Sequence, residues 1–113
     1  MHEISIAEDL SAIVLETAKR EKLSRVAKVN ISFGVLVQIV PDIFTFAFNE
    51  AVRNTIAQDA EVNIEIVPVK MICKKCGNNF EITENRFVCN NCSSSDLQII
   101  HGKELFVNSI EGE

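Results

Sequence analysis

The sequence has no tryptophan or tyrosine, and few residues that interrupt regular structure: two prolines and four glycines among 113 residues. Apolar residues nevertheless make up 47% of the chain. A chain with so few breakers and so many apolar residues is not of the disordered class. The length suits one compact domain, or a small domain that carries an appendage.

Basic residues are also scarce. The chain has 11 Lys and Arg against 16 Asp and Glu, which leaves a net charge of −5. Proteins that bind nucleic acid usually present a basic face that displaces counterions from the phosphates. The charge therefore argues against a nucleic-acid partner.

Long hydrophobic runs are missing as well. The longest apolar stretch, residues 35–40, is broken by Gln38 and is far shorter than the roughly 20 residues that span a bilayer. Glu8 and Asp9 fall where a signal peptide requires an apolar segment. We expect no membrane span and a cytoplasmic location, where cysteines stay reduced and favour metals over disulfides.

Hydrophobic periodicity predicts two helices. The first covers residues 5–21, begins with a capping box from Ser5 to Glu8, and has an apolar face of Ile6, Leu10, Ile13, Val14 and Ala18. The second begins at Pro41, a favoured first helical position, and its apolar face consists of Phe44, Ala47, Phe48, Ala51 and Val52. We interpret the aromatic residues Phe44, Phe46 and Phe48 as core.

Alternating apolar residues predict three strands. The first contains Val29, Ile31, Phe33 and Val35, the second Val62, Ile64 and Ile66, and the third is centred on Leu105 and Val107. The predicted fold class is α+β, with two helices on a three-stranded sheet and a four-cysteine zinc module inserted before the last strand.

The cysteine segment carries the strongest motif. Cys73 and Cys76 form one C-x-x-C pair, and Cys89 and Cys92 form a second pair after twelve residues. Each pair places two thiolates on one tight knuckle, so two knuckles complete the tetrahedral S₄ shell that Zn²⁺ prefers. Little apolar content lies between them, so metal binding has to supply part of the folding free energy. We predict a structural zinc site.

Other uses of the four cysteines are weaker. Disulfides need an oxidising compartment, and a redox C-x-x-C explains one pair but leaves the other without a role. Ligand type alone does not separate zinc from iron in a rubredoxin-like S₄ site. A filled four-sulfur shell has no open coordination position, so we do not expect an enzyme.

The first residues offer a second set of metal ligands. A free α-amine, a deprotonated backbone amide and an imidazole can bind square-planar Ni²⁺ or Cu²⁺. The Met1 amine with the amide and ring of His2 forms such a set. By position alone, however, a terminal histidine is more often solvated than ligating.

The chain as a whole resembles the HypA/HybF family, the nickel chaperones of hydrogenase maturation. The resemblance starts with Met1-His2-Glu3 and ends near the C-terminus, and it includes the C-x-x-C, twelve, C-x-x-C spacing. Its other segments are residues 5–8, 40–42, 46–48, 55–57, 102–105 and 109–111. One departure is Val35 after Gly34, where many family members have an acidic residue.

The resemblance implies a nickel-binding domain, residues 1–70 plus 103–113, and a zinc-binding domain, residues 71–102. It implies that His2 is the main Ni²⁺ ligand and that the Met1 amine and the backbone of His2 and Glu3 assist it. The side chain of Glu3 is a further candidate. It also implies Cys73, Cys76, Cys89 and Cys92 as zinc ligands.

The predicted function is a nickel metallochaperone. It binds Ni²⁺ at its N-terminus and delivers the metal to a [NiFe] hydrogenase large-subunit precursor, working with a GTPase partner as a monomer or homodimer. The alternative is a zinc-ribbon interaction module that binds nucleic acid or protein, for which the two knuckles are the support.

Overall fold

A computed structural model describes residues 2–82 and 86–113, with only the backbone of His2. Within these residues the chain forms two α-helices, a short 3₁₀ segment and six strands. The helices are α1 (His2–Arg20) and α2 (Pro41–Ala51), and the 3₁₀ segment is Val35–Val37. The strands are β1 (Val26–Gly34), β2 (Glu61–Val67), β3 (Lys70–Cys73), β4 (Asn79–Glu81), β5 (Leu97–His101) and β6 (Leu105–Gly112).

The predicted α+β class is confirmed, and the predicted three strands form one sheet in the order β2-β1-β6. Three side-chain contacts between β1 and β2 advance in the same direction, namely Lys28–Glu61, Asn30–Asn63 and Ser32–Glu65. These two strands therefore run parallel, with α2 as the crossover that parallel strands require. A second sheet, β4-β3-β5, is built around the cysteines and was not predicted.

The chain divides into two compact units. Unit 1 comprises residues 1–32, 39–65 and 105–113, and unit 2 comprises residues 33–38 and 66–104. In unit 1, α1 packs along α2 and contacts β6. The rings of Phe44 and Phe48 stack with centroids 5.9 Å apart, and both are fully buried.

The buried stripe of α1 differs from the predicted one. It consists of Ala7, Leu10, Ser11, Val14 and Ala18, whereas Ile13 is 48% exposed. At about 100° per residue, Ile13 lies about 100° around the helix from Val14, outside a stripe centred on that residue. Ser11 extends the buried stripe although its side chain is polar, which hydrophobic periodicity does not predict.

The predicted start of α1 is wrong. The helix begins at His2, so Ser5 lies inside it and is exposed rather than at the cap. Glu3, two residues before Ser5, makes a contact within unit 1: its carboxylate accepts the backbone N–H of Val40 at 3.3 Å. This contact connects the first turn of α1 to the residue that precedes α2.

Two apolar residues were placed incorrectly. The sequence predicts that Val35 belongs to the first strand, but it lies in the 3₁₀ segment and is 47% exposed. The sequence predicts that Phe46 belongs to the core, but its side chain is 69% exposed. It lies two residues from both Phe44 and Phe48 and therefore on another side of α2. Pro41 occupies the first turn as predicted.

Candidate metal centre

Two short turns of unit 2 position the four cysteines. In the first turn, Gly77 N donates to Cys73 O at 2.8 Å, and Cys73 N donates to Asn78 O at 2.9 Å. In the second, Ser93 N donates to Cys89 O at 2.9 Å, and Cys89 N donates to Ser94 O at 2.8 Å. The two knuckles therefore have the same backbone hydrogen bonding, and each directs its two sulfurs to the same side.

A small apolar core supports the knuckles. Its buried members are Val69, Met71, Cys73, Phe80 and Cys89, and Leu36, Ile82, Leu97 and Ile99 pack against it. Two of the five buried residues are cysteines of the site itself. Strand β3 contributes Cys73 directly and pairs with β4 and β5 on either side, so the sheet fixes the first knuckle.

The four sulfur atoms converge, and all lie within 4.8 Å of one another. Cys73 Sγ lies 3.6 Å from Cys92 Sγ, and Cys76 Sγ lies 3.6 Å from Cys89 Sγ. A tetrahedral Zn²⁺ with bonds of about 2.3 Å requires sulfur separations of about 3.8 Å. These distances fit a four-coordinate cation and far exceed a disulfide bond of about 2.05 Å; all four cysteines are free.

The thiols of the cluster have different proton affinities. Burial raises the pKa of Cys89, but the backbone N–H groups of Cys92 and Asn91 outweigh it and lower the pKa to about 6. The Ser94 N–H favours the Cys92 thiolate, yet burial and the neighbouring sulfurs of Cys73, Cys76 and Cys89 raise its pKa to about 12. A divalent cation offsets this repulsion and allows four thiolates to coexist.

The pKa of Cys73 is lowered as well. The backbone N–H of Cys76 favours its thiolate most and lowers its pKa below the ordinary value, against a smaller opposing effect of burial. Cys73 and Cys89 are the two buried sulfurs, whereas Cys76 and Cys92 are exposed. Each knuckle therefore contributes one buried and one exposed sulfur.

The predicted nickel ligands are the first residues of the chain, and of these Glu3 belongs to unit 1. Met1 lies outside the described residues, and of His2 only the backbone is described, as the first residue of α1. Glu3 is half-buried in the first turn of the helix. The nickel ligands predicted from the sequence therefore remain a prediction.

A histidine and a glutamate of unit 2 form a pair that the sequence did not reveal. His101 is the last residue of β5, and its Nδ1 lies 2.9 Å from Glu104 Oε2. The other carboxylate oxygen, Oε1, accepts the Gly102 N–H at 2.7 Å. The Gly102 N–H, and then the His101 ring, hold the pKa of Glu104 below its ordinary value. This carboxylate therefore stabilises the turn that follows β5.

Known proteins match the chain along its whole length. The family model described as "Hydrogenase/urease nickel incorporation, metallochaperone, hypA" matches residues 1–112. The hydrogenase maturation factor HypA of Aquifex aeolicus is 36% identical over 113 residues, which cover 100% of this chain and 98% of the relative. The hydrogenase maturation factor HybF of Klebsiella pneumoniae is 33% identical over 113 residues, and the match covers 100% of this chain and 100% of the relative.

Solved structures agree with the sequence relatives. The solution structure of the Ni metallochaperone HypA from Helicobacter pylori has a TM-score of 0.72 and 27% identity, and the match covers 99% of this chain and 97% of that one. A second solution structure of a HypA protein has a TM-score of 0.76 and 27% identity, with coverage of 100% and 97%.

Fold, cysteine cluster and matches together define a nickel metallochaperone of hydrogenase maturation. The chain belongs to the HypA family, in which the HybF maturation factors are also relatives of this sequence. The family identified from the sequence is thus confirmed. In the part of the chain that the structure describes, neither helix is long and apolar enough to cross a membrane.

Proposed function

We propose that this chain carries Ni²⁺ on its first residues and delivers it during hydrogenase maturation. The ligands are the Met1 amine, the amide and imidazole of His2, and the backbone of Glu3. The observation that carries the proposal is the family match from residue 1 to residue 112, which takes in these ligands and the four cysteines together. Nickel is the cargo of this site.

The start of α1 suits ligation by a backbone nitrogen. The first four N–H groups of an α-helix have no carbonyl partner within the helix. His2 and Glu3 are the first two residues of α1, so an amide that loses its proton to bind Ni²⁺ at this point breaks no bond of the helix. The negative charge of such an amide is also favourable at the positive end of the helix dipole.

Glu3 has a positioning role in this proposal. Its Oε2 accepts the Val40 N–H over 3.3 Å, immediately before α2 begins at Pro41. This bond anchors the first turn of α1 within unit 1, which limits how far the terminal ligands can move. A preorganised set of ligands loses less conformational entropy when the metal binds.

We propose that Cys73, Cys76, Cys89 and Cys92 hold a structural Zn²⁺. The donor set is all sulfur, and the sulfur separations suit bonds of about 2.3 Å. When bound, the metal supplies cross-linking between the knuckles. With four sulfurs as ligands it retains no position for a reacting water, so the protein acts as a carrier and not as an enzyme. In this proposal residues 71–102 are the zinc domain, and residues 1–70 plus 103–113 are the nickel domain.

The recipient in this proposal is the large-subunit precursor of a [NiFe] hydrogenase, with a GTPase as the insertion partner. The family description includes both hydrogenase and urease, and the hydrogenase relatives favour the first. Ligands at the chain terminus support delivery, because a recipient can approach them and replace them one at a time. Transfer of ⁶³Ni from this protein to the isolated precursor, with and without GTP and the GTPase, tests this step.

Nickel titration of protein with an unextended N-terminus tests the site. His2→Ala is expected to abolish tight Ni²⁺ binding and leave one zinc per chain. The chain has two histidines, so His101→Ala is the matched control and should bind nickel as the wild type does. An unchanged isotherm for His2→Ala would remove the assignment. Protons compete for imidazole, whose ordinary pKa is about 6.5, so binding should weaken as the pH falls through that range.

A further inference from the structure

Side-chain amides cross between the two knuckles in both directions. Asn78 follows the first knuckle, and its Nδ2 lies 3.9 Å from Cys89 Sγ in the second. Asn91 belongs to the second knuckle, and its Nδ2 lies 3.7 Å from Cys76 Sγ in the first. The two sulfurs that receive these amides are the pair 3.6 Å apart. Each knuckle therefore donates one amide to a sulfur of the other.

The two sulfurs depend on these amides to different degrees. Cys89 Sγ also accepts the backbone N–H groups of Asn91 and Cys92, both at 3.4 Å. Among the described residues, Cys76 Sγ receives its N–H hydrogen bond from the Asn91 side chain. Cys76 is exposed, whereas Cys89 is 1% exposed. Cys76 thus combines access to solvent with a donor that a single substitution removes.

Such hydrogen bonds change how a metal holds its sulfur ligands. An N–H donor withdraws electron density from a thiolate, which lowers its affinity for protons and its reactivity toward electrophiles, and it fixes the direction of the sulfur. Asn78 is itself oriented, because its Nδ2 lies 2.6 Å from Asn90 Oδ1 in the opposite knuckle. The pair of amides therefore acts on ligand chemistry and on the alignment of the knuckles.

We propose that Asn91 and Asn78 determine how firmly the four-cysteine site retains its metal, and that Asn91 protects Cys76, the ligand that detaches first without it. Neither asparagine touches the metal in this assignment, so both are positioning residues. The inference rests on the proposed occupation of the four cysteines by zinc. It adds two residues that the cysteine motif does not contain.

Release of zinc from the full-length, zinc-loaded protein tests the proposal. The rate of transfer to the chromophoric chelator 4-(2-pyridylazo)resorcinol is measured for wild type, Asn91→Ala, Asn78→Ala and Asn79→Ala. In Asn91→Ala and in Asn78→Ala, the loss of one hydrogen bond should accelerate the release of zinc about three- to tenfold. Asn79, an exposed neighbour on β4, is the matched control and should leave the rate unchanged. Asn91→Asp keeps the shape but removes the donor, so it should release zinc at least as fast as Asn91→Ala.

Alkylation provides a second readout that general loosening of the fold would not reproduce. Zinc-loaded protein is treated briefly with N-ethylmaleimide, and the modified cysteines are located by mass spectrometry. Asn91→Ala should increase modification at Cys76 more than at Cys92, the other exposed sulfur. Circular dichroism of each zinc-loaded variant verifies that it has the wild-type fold.

The outcomes separate this proposal from the one on which it rests. A wild-type protein that retains no zinc would overturn the metal assignment itself. If the wild type retains zinc but Asn91→Ala and Asn78→Ala release it at the wild-type rate, the zinc assignment stands and the amide role is overturned. Release of zinc from Asn91→Asp at the slow wild-type rate would also overturn the amide role, because the shape of the side chain would then matter and not its N–H.

Discussion

Gly77 and Ser93 occupy equivalent positions in the two knuckles, and both have the left-handed backbone conformation. Each follows the second cysteine of its pair, with φ of 77° at Gly77 and 63° at Ser93. Each also donates its N–H to the carbonyl of the first cysteine. The same turn is therefore built once with a residue that adopts it freely and once with a residue that does not.

Gly77 and Ser93 predict opposite changes in stability, because one substitution adds a side chain to the left-handed turn and the other removes one. Ser93→Gly removes a left-handed strain of about 1–2 kcal/mol, offset by about 0.5–1 kcal/mol from the added freedom of glycine in the unfolded chain. We expect the zinc-loaded protein to gain roughly 0.5–1 kcal/mol in free energy of unfolding. Gly77→Ala should lose a similar amount, although no atom lies within 4 Å of the new Cβ. Urea denaturation measures both, and a loss of stability in Ser93→Gly would contradict the equivalence.

A close approach of two glycines in unit 2 makes a steric prediction. A Cβ on Gly34 would lie 2.0 Å from both the C and O atoms of Gly102 and 2.5 Å from Lys103 N. Backbone atoms cannot move aside as a flexible side chain can, so Gly34→Ala should cost at least about 2 kcal/mol. It should also disturb the bond from Leu36 N to Gly102 O, which is 2.8 Å long. Urea unfolding measures the cost, and a change below that of Gly77→Ala would show that the backbone yields.

Glu104 predicts how stability depends on pH. Its pKa is lowered in the folded protein by the Gly102 N–H and the His101 ring. The carboxylate therefore stabilises the fold above the ordinary glutamate pKa of about 4.3, and the contribution is lost as the pH falls through the lower, folded value. Glu104→Gln should be less stable than the wild type at pH 7, and the difference should disappear as the pH falls through the lowered pKa of Glu104.

Unfolding of both proteins at a series of pH values measures this convergence. Glu8→Gln is the control, because Glu8 is an exposed carboxylate on α1 and its replacement should leave the difference from wild type small at every pH. A difference between Glu104→Gln and wild type that stays constant on acidification would refute the role of the charged carboxylate.

The unequal thiols predict the number of protons that zinc displaces. The pKa of Cys89 is lowered and that of Cys92 is raised within one cluster of interacting sulfurs, so the cluster as a whole is partly ionised at pH 7 before a metal binds. Zinc binding at pH 7 should therefore release fewer than four protons. Isothermal titration calorimetry in buffers of different ionisation enthalpy counts the protons. Release of four would show that all the thiols are protonated before the metal binds.

The site was predictable where ligands lie close along the chain. Two C-x-x-C pairs predict their own knuckles because each motif is short, and Gly77 marks the first turn. Ser93 carries no such mark, since serine adopts the left-handed conformation only where the surrounding hydrogen bonds impose it. The amides of Asn78 and Asn91 were missed for another reason: each acts on a cysteine 11 to 15 residues away.

The sequence by itself determined the order of the main elements, the start of α2 at Pro41, the cysteine pairs and the family, because these follow from local periodicity and from motifs. Only the tertiary structure decided the exposure of Phe46, the burial of Ser32, the second sheet, and the contact of Gly34 with Gly102. Periodicity reports that a residue lies on one side of its own element. Which neighbour covers that side depends on chain segments far apart in sequence, and these meet only when the protein folds.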